Sequence, residues 1–228
     1  MKTYKFQPTE GRSRTVALWL ILSMISDLLT AGLCVIDLTM LARLETLTAA
    51  EDQLWQMLGL LGFITVPVYL VNVVLICIWT YRATANAHAF RKGLQTSPGW
   101  AVGWYFIPFA NLFKPLMSMK DVWRASFRRE EGRQTPPDDS LNGWWAFWII
   151  SGISGNISFR LTIAATEASS LAAGAWIGLF SALTGIGAAW MLRSIVLRIS
   201  AAQTETQALR VAAADAAPAE TAIEVASD

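Results

Sequence analysis

The sequence has few of the residues from which most metal and redox sites are built. Among 228 residues there are two cysteines and one histidine, and Lys, Arg, Asp and Glu together make up only 15%. Cys34 and Cys77 both fall inside long apolar runs, which argues against a stabilising disulfide or a thiolate metal site. His88 has no second metal-ligating residue at suitable spacing. No metal or cofactor is therefore expected.

Motifs of the common enzyme classes are also missing. No Ser/His/Asp set, pair of catalytic carboxylates or phosphate-binding loop is visible in the sequence. Gly185-Ile186-Gly187 lacks the third glycine and the preceding strand of a dinucleotide fingerprint. There is no basic stripe on a soluble domain, so nucleic-acid binding is not expected. The sequence predicts a protein that is not an enzyme.

Hydrophobic residues make up 54% of the chain and are gathered into long runs. Four runs approach or exceed the roughly 20 residues that a helix needs to cross a bilayer, at about 15–41, 57–81, 143–165 and 171–195. A fifth run, 98–115, is shorter and is interrupted by prolines and glycines. The predicted fold is an all-α membrane protein, a four-transmembrane-helix bundle with one broken segment.

The distribution of Lys and Arg predicts the topology of these runs. If 98–115 does not cross, 16 of the 18 Lys and Arg residues lie on the side of the N-terminus, and if it crosses, this bias disappears. Cytoplasmic loops carry an excess of Lys and Arg. We therefore expect both termini in the cytoplasm, a multi-pass protein of the cytoplasmic membrane, and a segment 98–115 that is either re-entrant or interfacial.

Three further segments complete the predicted organisation. Residues 1–14 form a short cytoplasmic N-terminal segment. Residues 116–130 place apolar side chains on one face and basic ones on another, which predicts an amphipathic helix at an anionic cytoplasmic leaflet. Residues 200–228 carry five acidic residues and one basic residue and no aromatic residue. This composition predicts a disordered acidic tail.

Polar residues inside the apolar runs are candidates for function, because an ionisable group in a bilayer is costly. Asp27 and Asn156 lie at similar depth at about 1.5 Å per residue, so we expect them to meet, as a proton or cation site or as a structural contact. Arg160 is expected to pair with Asp37. Together with Asn72, Asp27 and Asn156 suggest an alternative function, a small channel or transporter.

Arg82 and Asn86 lie one helical turn apart after the second run. The prolines and glycines of 98–115 leave carbonyl groups without intrahelical partners, and these two side chains are suitable donors. We therefore expect Arg82 and Asn86 to hold the broken segment. A contact with a ligand headgroup, or simple extension of Arg82 toward the interface, are the alternatives.

Several motifs around the broken segment occur together and in order. They are Trp79-Thr80-Tyr81-Arg82-Ala83-Thr84-Ala85-Asn86-Ala87, Ser97-Pro98-Gly99-Trp100-Ala101-Val102-Gly103-Trp104, Ile107-Pro108-Phe109-Ala110-Asn111-Leu112, Trp123-Arg124-Ala125-Ser126 and Trp144-Trp145. Over about residues 55–195 the chain resembles the bacterial membrane family called domain of unknown function 4328. The resemblance implies a bacterial cytoplasmic membrane protein and no particular activity.

These observations favour a non-enzymatic helical bundle whose aromatic and basic cytoplasmic face engages membrane lipids, anionic ones above all, or partner proteins. Gly174, Gly178 and Ala182 have the four-residue spacing that lets helices approach closely, within the chain or across a homo-oligomer. The candidate structural or functional residues are Asp27, Asn72, Arg82, Asn86, Pro98, Trp100, Trp104, Pro108, Asn111, Trp123, Asn156 and Arg160.

Overall fold

The computed structural model describes residues 4–91, 93–127 and 136–226, and the regular structure in these ranges is helical. The helices are α1 (Glu10–Leu41), α2 (Ala49–Leu60), α3 (Thr65–Phe90), α4 (Pro98–Gly103), α5 (Lys114–Phe127), α6 (Asp139–Ile163) and α7 (Ala168–Ala226). Short 3-10 turns lie at Leu44–Thr46, Leu61–Ile64, Trp104–Phe106 and Ala110–Leu112. The all-α prediction is confirmed.

Three helical stretches among the described residues are long and apolar enough to cross a membrane. They are Glu10–Leu41, Ala49–Phe90 and Ala168–Ala216, which contain the first, second and fourth predicted spans. α6 covers the third predicted span with 25 residues but does not reach the same hydropathy. Its three tryptophans and its polar Asn156 and Arg160 account for the lower value. Length and composition thus indicate a membrane protein.

The chain divides into two compact units. The first unit comprises Met1–Arg14, Ile78–Asp138 and Val196–Asp228, and the second comprises Thr15–Cys77 and Asp139–Ile195.

The second unit buries several small side chains and exposes many large apolar ones. Ala31 on α1 and Ala182 on α7 are buried, whereas Leu18 and Leu28 on α1 are each 64% exposed. Burial from water alone does not account for this packing, because many large apolar side chains stay outside. Helices that pack through small residues and turn large apolar side chains outward suit a lipid environment.

Serine side chains join α6 to α7 in the second unit. Ser151 Oγ donates to the Ser181 carbonyl at 3.0 Å, and Ser181 Oγ donates to the Ser151 carbonyl at 2.9 Å. Further along α6, Ser158 Oγ donates to the Gly174 carbonyl at 2.8 Å. A Cβ atom on Gly178 would stand only 2.8 Å from Ser158 Oγ. The small-residue face of α7 therefore packs against α6 of the same chain.

The first unit has a tryptophan-rich interior. Trp79 on α3 and Trp123 on α5 are fully buried, as are Val196 and Ile199 on α7. Trp79 Nε1 donates to Ser200 Oγ at 3.0 Å, which satisfies an indole N–H that would otherwise be costly to bury.

Residues 200–228 were predicted to be a disordered tail, but α7 continues as a helix to Ala226. Gln203 is fully buried in the first unit. Arg210 donates to the carbonyls of Ala89 and Phe90 at 3.3 and 2.7 Å. The prediction is wrong for residues 201–210, because buried positions at Ile195, Ile199 and Gln203 continue the four-residue helical repeat into an Ala-rich sequence, and packing there outweighs composition.

Candidate functional site

The most unusual surface of the first unit is the segment 98–117, which we call the aromatic turn. It begins where Ser97 caps α4, with Ser97 Oγ accepting from the Trp100 N–H at 3.5 Å and Pro98 in the first turn. α4 lasts only six residues and passes into the 3-10 turn Trp104–Phe106. The predicted break of this segment is thus present.

The break itself is a γ-turn centred on Phe109. The Pro108 carbonyl accepts from the Ala110 N–H at 2.7 Å, and Phe109 has φ 62° and ψ −45°. It is the non-glycine residue with positive φ among the described residues. A residue with a Cβ atom is strained by about 1–3 kcal/mol in such a conformation. The surrounding structure must hold Phe109 in place against this strain.

The carbonyls freed by the break are partly satisfied within the turn. Asn111 donates from its backbone N–H to the Ile107 carbonyl at 3.0 Å and from Nδ2 to the Tyr105 carbonyl at 3.4 Å. Asn111 is therefore a structural residue of the turn.

The aromatic turn is fixed at both ends and exposed in between. Pro98, Ala101 and Pro115 are buried. Between and beside them, six large apolar side chains are at least 47% exposed: Trp100, Phe106, Phe109, Leu112, Phe113 and Met117. Phe109 is 81% exposed, the largest fraction among the large apolar side chains described. So many exposed apolar side chains on one short segment mark a candidate interaction site.

Trp104 adds a stacked aromatic group and a cation to this surface. Its ring centroid lies 4.6 Å from that of Trp100, and Lys114 Nζ lies 5.6 Å from the Trp104 centroid. Aromatic rings with a nearby cation are characteristic of the membrane–water interface.

Asn86 does not hold the aromatic turn, contrary to the sequence prediction. Its Oδ1 accepts from the Gln7 N–H at 3.0 Å, and its Nδ2 donates to the Gln7 carbonyl at 2.9 Å and to Gln203 Oε1 at 3.1 Å. The N-terminal segment and α7 compete successfully for this amide. Arg82, the other predicted donor, lies with its guanidinium carbon 5.9 Å from the Tyr81 ring centroid.

Gln203 completes a buried network that the sequence did not reveal. Its Nε2 donates to the Ala83 carbonyl at 2.9 Å and to Ser126 Oγ at 3.1 Å. Asn86 and Gln203 are both fully buried. The only sequence signal was the spacing of Gln203 after Ile195 and Ile199 on one helical face.

α5 is amphipathic as predicted, but its apolar face is covered by protein rather than left for lipid. Met119 and Trp123 are at most 3% exposed. Trp123 Nε1 donates to the Pro136 carbonyl at 3.1 Å, and the guanidinium carbon of Arg198 lies 4.7 Å from the Trp123 ring centroid. Of the predicted interfacial helix 116–130, residues 128–130 lie outside the described residues.

The basic side chains on the other face of α5 have acidic neighbours. Lys120 and Arg124 lie 3.7 and 3.5 Å from the same carboxylate oxygen of Asp138. Burial raises the pKa of Asp121, while the charges of Arg124 and Arg91 act in the opposite direction. This face is therefore less free for anionic lipid than its cation spacing suggests.

The polar residues of the second unit are paired differently from the prediction. Asn156 Oδ1 accepts from Arg160 Nε at 2.8 Å, one turn along the same helix, rather than meeting Asp27. Asp37 Oδ1 accepts from Trp55 Nε1 at 2.7 Å rather than pairing with Arg160. Both predictions were wrong because a depth count fixes the level of a residue but not the face of the helix on which it lies.

Two further candidates have structural partners. Asn72 Nδ2 donates to the Trp19 and Val68 carbonyls at 3.2 and 3.0 Å, and Asn72 is buried. His88 Nε2 lies 2.8 Å from the Thr96 carbonyl. Among the described residues, no group of three or more His, Cys, Asp or Glu side chains has the arrangement of a metal site.

Comparison with known proteins gives one match. The sequence model of a protein family described as "Domain of unknown function (DUF4328)" matches residues 44–201, more than half of the chain. No curated protein and no solved structure matches the chain.

Proposed function

The chain belongs to the DUF4328 family, and from this premise we propose that it is a multi-pass protein of the cytoplasmic membrane whose aromatic turn inserts into the lipid interface. The observation that carries the proposal is the set of six exposed apolar side chains on a segment whose ends are buried. Exposure of this kind in water is unfavourable, and burial in lipid removes it.

Charge and aromatic content favour lipid over a soluble protein as the occupant of this surface. Lys114 Nζ lies 5.6 Å from the Trp104 ring centroid within the turn, so a cation stands beside the apolar surface, and such a cation favours anionic lipid headgroups. The same chain has three helical stretches long and apolar enough to cross a bilayer, so the turn is held close to a lipid surface in this proposal. The protein acts, in this proposal, as a non-enzymatic module that binds anionic lipid at its cytoplasmic face.

The proposed topology has four spans. α6 supplies the third, because its 25 residues reach about 37 Å, enough for the hydrocarbon core. Both termini and the aromatic turn then lie on the cytoplasmic side, which keeps 16 of the 18 Lys and Arg residues there. Reporters fused after Thr96 and at the C-terminus should both be cytoplasmic. A periplasmic C-terminus would contradict this topology.

The lipid contact is tested by fluorescence quenching. In a chain whose Cys34 and Cys77 are replaced by alanine, Phe109→Cys carries an environment-sensitive dye in vesicles that contain phosphatidylglycerol and acyl-brominated lipid. We expect strong quenching of this dye. The matched control is Leu209→Cys, which is 51% exposed on α7 but lies about 20 Å of helix beyond the proposed fourth span, and we expect little quenching there.

Two results would contradict the lipid contact. Equal quenching at Phe109→Cys and Leu209→Cys would mean that the turn is no closer to lipid than the cytosolic part of α7. Lys114→Glu should weaken the quenching in anionic vesicles more than in neutral ones. If the variant weakens it equally in both, the proposed preference for anionic lipid is wrong.

The alternative function, a small channel or transporter around Asp27, has less support. Asp27 Oδ2 lies 2.9 Å from the position that a Cβ atom on Gly185 would occupy, and reciprocal serine hydrogen bonds join α6 and α7 beside it. Such close packing leaves no wide path next to the carboxylate. Ion flux into liposomes that is lost in Asp27→Asn would favour the alternative.

A further inference from the structure

Residues 4–9, which we call the strap, lie against the end of α3 in the first unit and have no regular secondary structure. Tyr4 and Phe6 are half-buried, whereas the residue that follows each of them is exposed, which is the alternation of an extended chain. The Tyr4 ring centroid lies 5.3 Å from that of His88, and the Phe6 ring centroid lies 5.5 Å from that of Phe90. The strap therefore turns two aromatic rings onto the last turn of α3.

α3 also holds the main chain of the strap, through Asn86. Asn86 Oδ1 accepts from the Gln7 N–H at 3.0 Å, and Asn86 Nδ2 donates to the Gln7 carbonyl at 2.9 Å. One buried amide thus engages both polar backbone groups of one residue, while Gln7 itself stays exposed. This grip does not involve the two rings, so we expect the strap to stay anchored at Gln7 when one ring is removed.

His88 contacts both the strap and the start of the aromatic turn. Its ring packs on Tyr4, and its Nε2 lies 2.8 Å from the Thr96 carbonyl. Because a carbonyl oxygen only accepts, Nε2 carries a proton and donates it to this bond. Ser118 Oγ on α5 donates to Thr96 Oγ1 at 3.3 Å. Thr96 is thus held by α3 and by α5, directly before the Ser97 cap of α4.

The link between α3 and α4 has little packing of its own at Gly93. This residue has φ 87°, and a Cβ atom on it would meet no other atom within 4 Å. The bonds to Thr96 therefore matter for the start of the aromatic turn, because they fix the chain after a loosely packed bend. One of these two bonds comes from the imidazole on which the strap packs.

We propose that the strap controls the order of the aromatic turn. While Tyr4 packs on His88, the imidazole is held against the Thr96 carbonyl and the start of the turn is ordered; release of the strap loosens it. An ordered turn loses less conformational entropy when it binds, so the strap strengthens binding of the turn to lipid. This last step rests on the proposed function, whereas the coupling of strap and turn stands on contacts within the first unit.

Hydrogen exchange on the full chain in nanodiscs that contain phosphatidylglycerol tests the coupling. The reporters are the amides of Trp100 and Ala101, which donate to the side chain and the carbonyl of Ser97. We expect His88→Ala to raise their exchange rates about 2–10-fold, as for the loss of one hydrogen bond. Tyr4→Ala should raise the rates in the same direction, and Tyr4→Phe, which keeps the ring, should behave as the wild type.

The double variant decides whether the effect passes through His88. If it does, Tyr4→Ala adds little to the exchange rates once His88→Ala is present. The coupling is overturned if Tyr4→Ala leaves both reporter amides as in the wild type. It is equally overturned if Tyr4→Ala raises the rates by the same factor with and without His88, or if Tyr4→Phe acts as strongly as Tyr4→Ala.

Quenching of the dye at Phe109→Cys separates this proposal from the proposed function. Tyr4→Ala should weaken the quenching, and control of lipid binding by the strap is wrong if the quenching stays the same. Equal quenching at Phe109→Cys and Leu209→Cys, together with the expected exchange pattern, would instead refute the lipid contact and support the coupling of strap and turn.

Discussion

Asn86 and Gln203 share a hydrogen bond of 3.1 Å although 117 residues separate them in the chain. Both side chains are fully buried, and each also bonds to backbone groups, Asn86 to Gln7 and Gln203 to Ala83. This pair joins the N-terminal segment, α3 and α7 within the first unit.

Replacing Gln203 by alanine should therefore destabilise the first unit. The change leaves Asn86 Nδ2 and the Ala83 carbonyl with one partner fewer, and a buried polar group without a partner costs about 1–3 kcal/mol. The melting temperature of the protein and the hydrogen-exchange rates of amides in α3 and α7 measure the effect. The control is Gln207→Ala, one turn on and half-buried, for which we expect little change. Equal effects of both variants would mean that the network contributes nothing.

Phe109 should be better replaced by glycine than by alanine. Its φ of 62° strains any residue with a Cβ atom, so Phe109→Gly should be about 1 kcal/mol more stable than Phe109→Ala. Both variants lose the same exposed ring, so the comparison isolates the strain of the backbone. Chemical denaturation measures the difference in stability. A Phe109→Ala variant as stable as Phe109→Gly would show that the turn relaxes without cost.

The Arg210 side chain caps the C-terminal end of α3. Its guanidinium donates to the carbonyls of Ala89 and Phe90, the end of a helix where positive charge is favourable. Arg210→Gln should cost about 0.3–1 kcal/mol and raise amide exchange in the last turn of α3 and in α7 beyond Thr206. Arg210→Glu should cost more, because it places a negative charge at the negative end of the helix dipole. No change in exchange in either variant would contradict this role.

Asp121 should make the first unit less stable as the pH rises. Burial raises its pKa from the ordinary 3.8, so the folded state binds the proton more tightly than the unfolded state does. Stability from this group is present at low pH and is lost as the pH rises from about 3.8 through the folded pKa. Asp121→Asn removes this dependence of stability on pH. The difference in melting temperature between variant and wild type should therefore grow from pH 3 to pH 7, and a constant difference would contradict the shift.

Sequence reasoning located the elements but not their partners. The prolines and glycines of 98–115 predicted a broken segment, because the residues themselves limit the local backbone conformation. The γ-turn at Phe109 was missed, since its positive φ is imposed by the packed ends of the turn and not by its own residue type. Asn86 was assigned to the wrong partner for a related reason. Which helix face meets which depends on long-range packing, and Gln203 lies in a stretch whose composition favours disorder.

Gly178 and Gly152 provide a matched test of how α6 and α7 pack. A Cβ atom on Gly178 would stand 2.8 Å from Ser158 Oγ and 3.1 Å from Cys34 Sγ, whereas a Cβ atom on Gly152 would have nothing within 4 Å. Alanine in place of an unhindered helical glycine stabilises by about 0.4–1 kcal/mol. Gly152→Ala should therefore raise the melting temperature of the second unit.

Gly178→Ala should have the opposite sign, because it forces Ser158 and Cys34 aside and overpacking costs about 1–3 kcal/mol. Since these contacts lie within one chain, the loss of stability should not depend on protein concentration, and the oligomeric state measured by light scattering in detergent should be the same as that of the wild type. Dissociation of a dimer by Gly178→Ala would instead place this glycine face between copies of the chain. Opposite signs for the two alanines, without such dissociation, are what close packing within one chain requires.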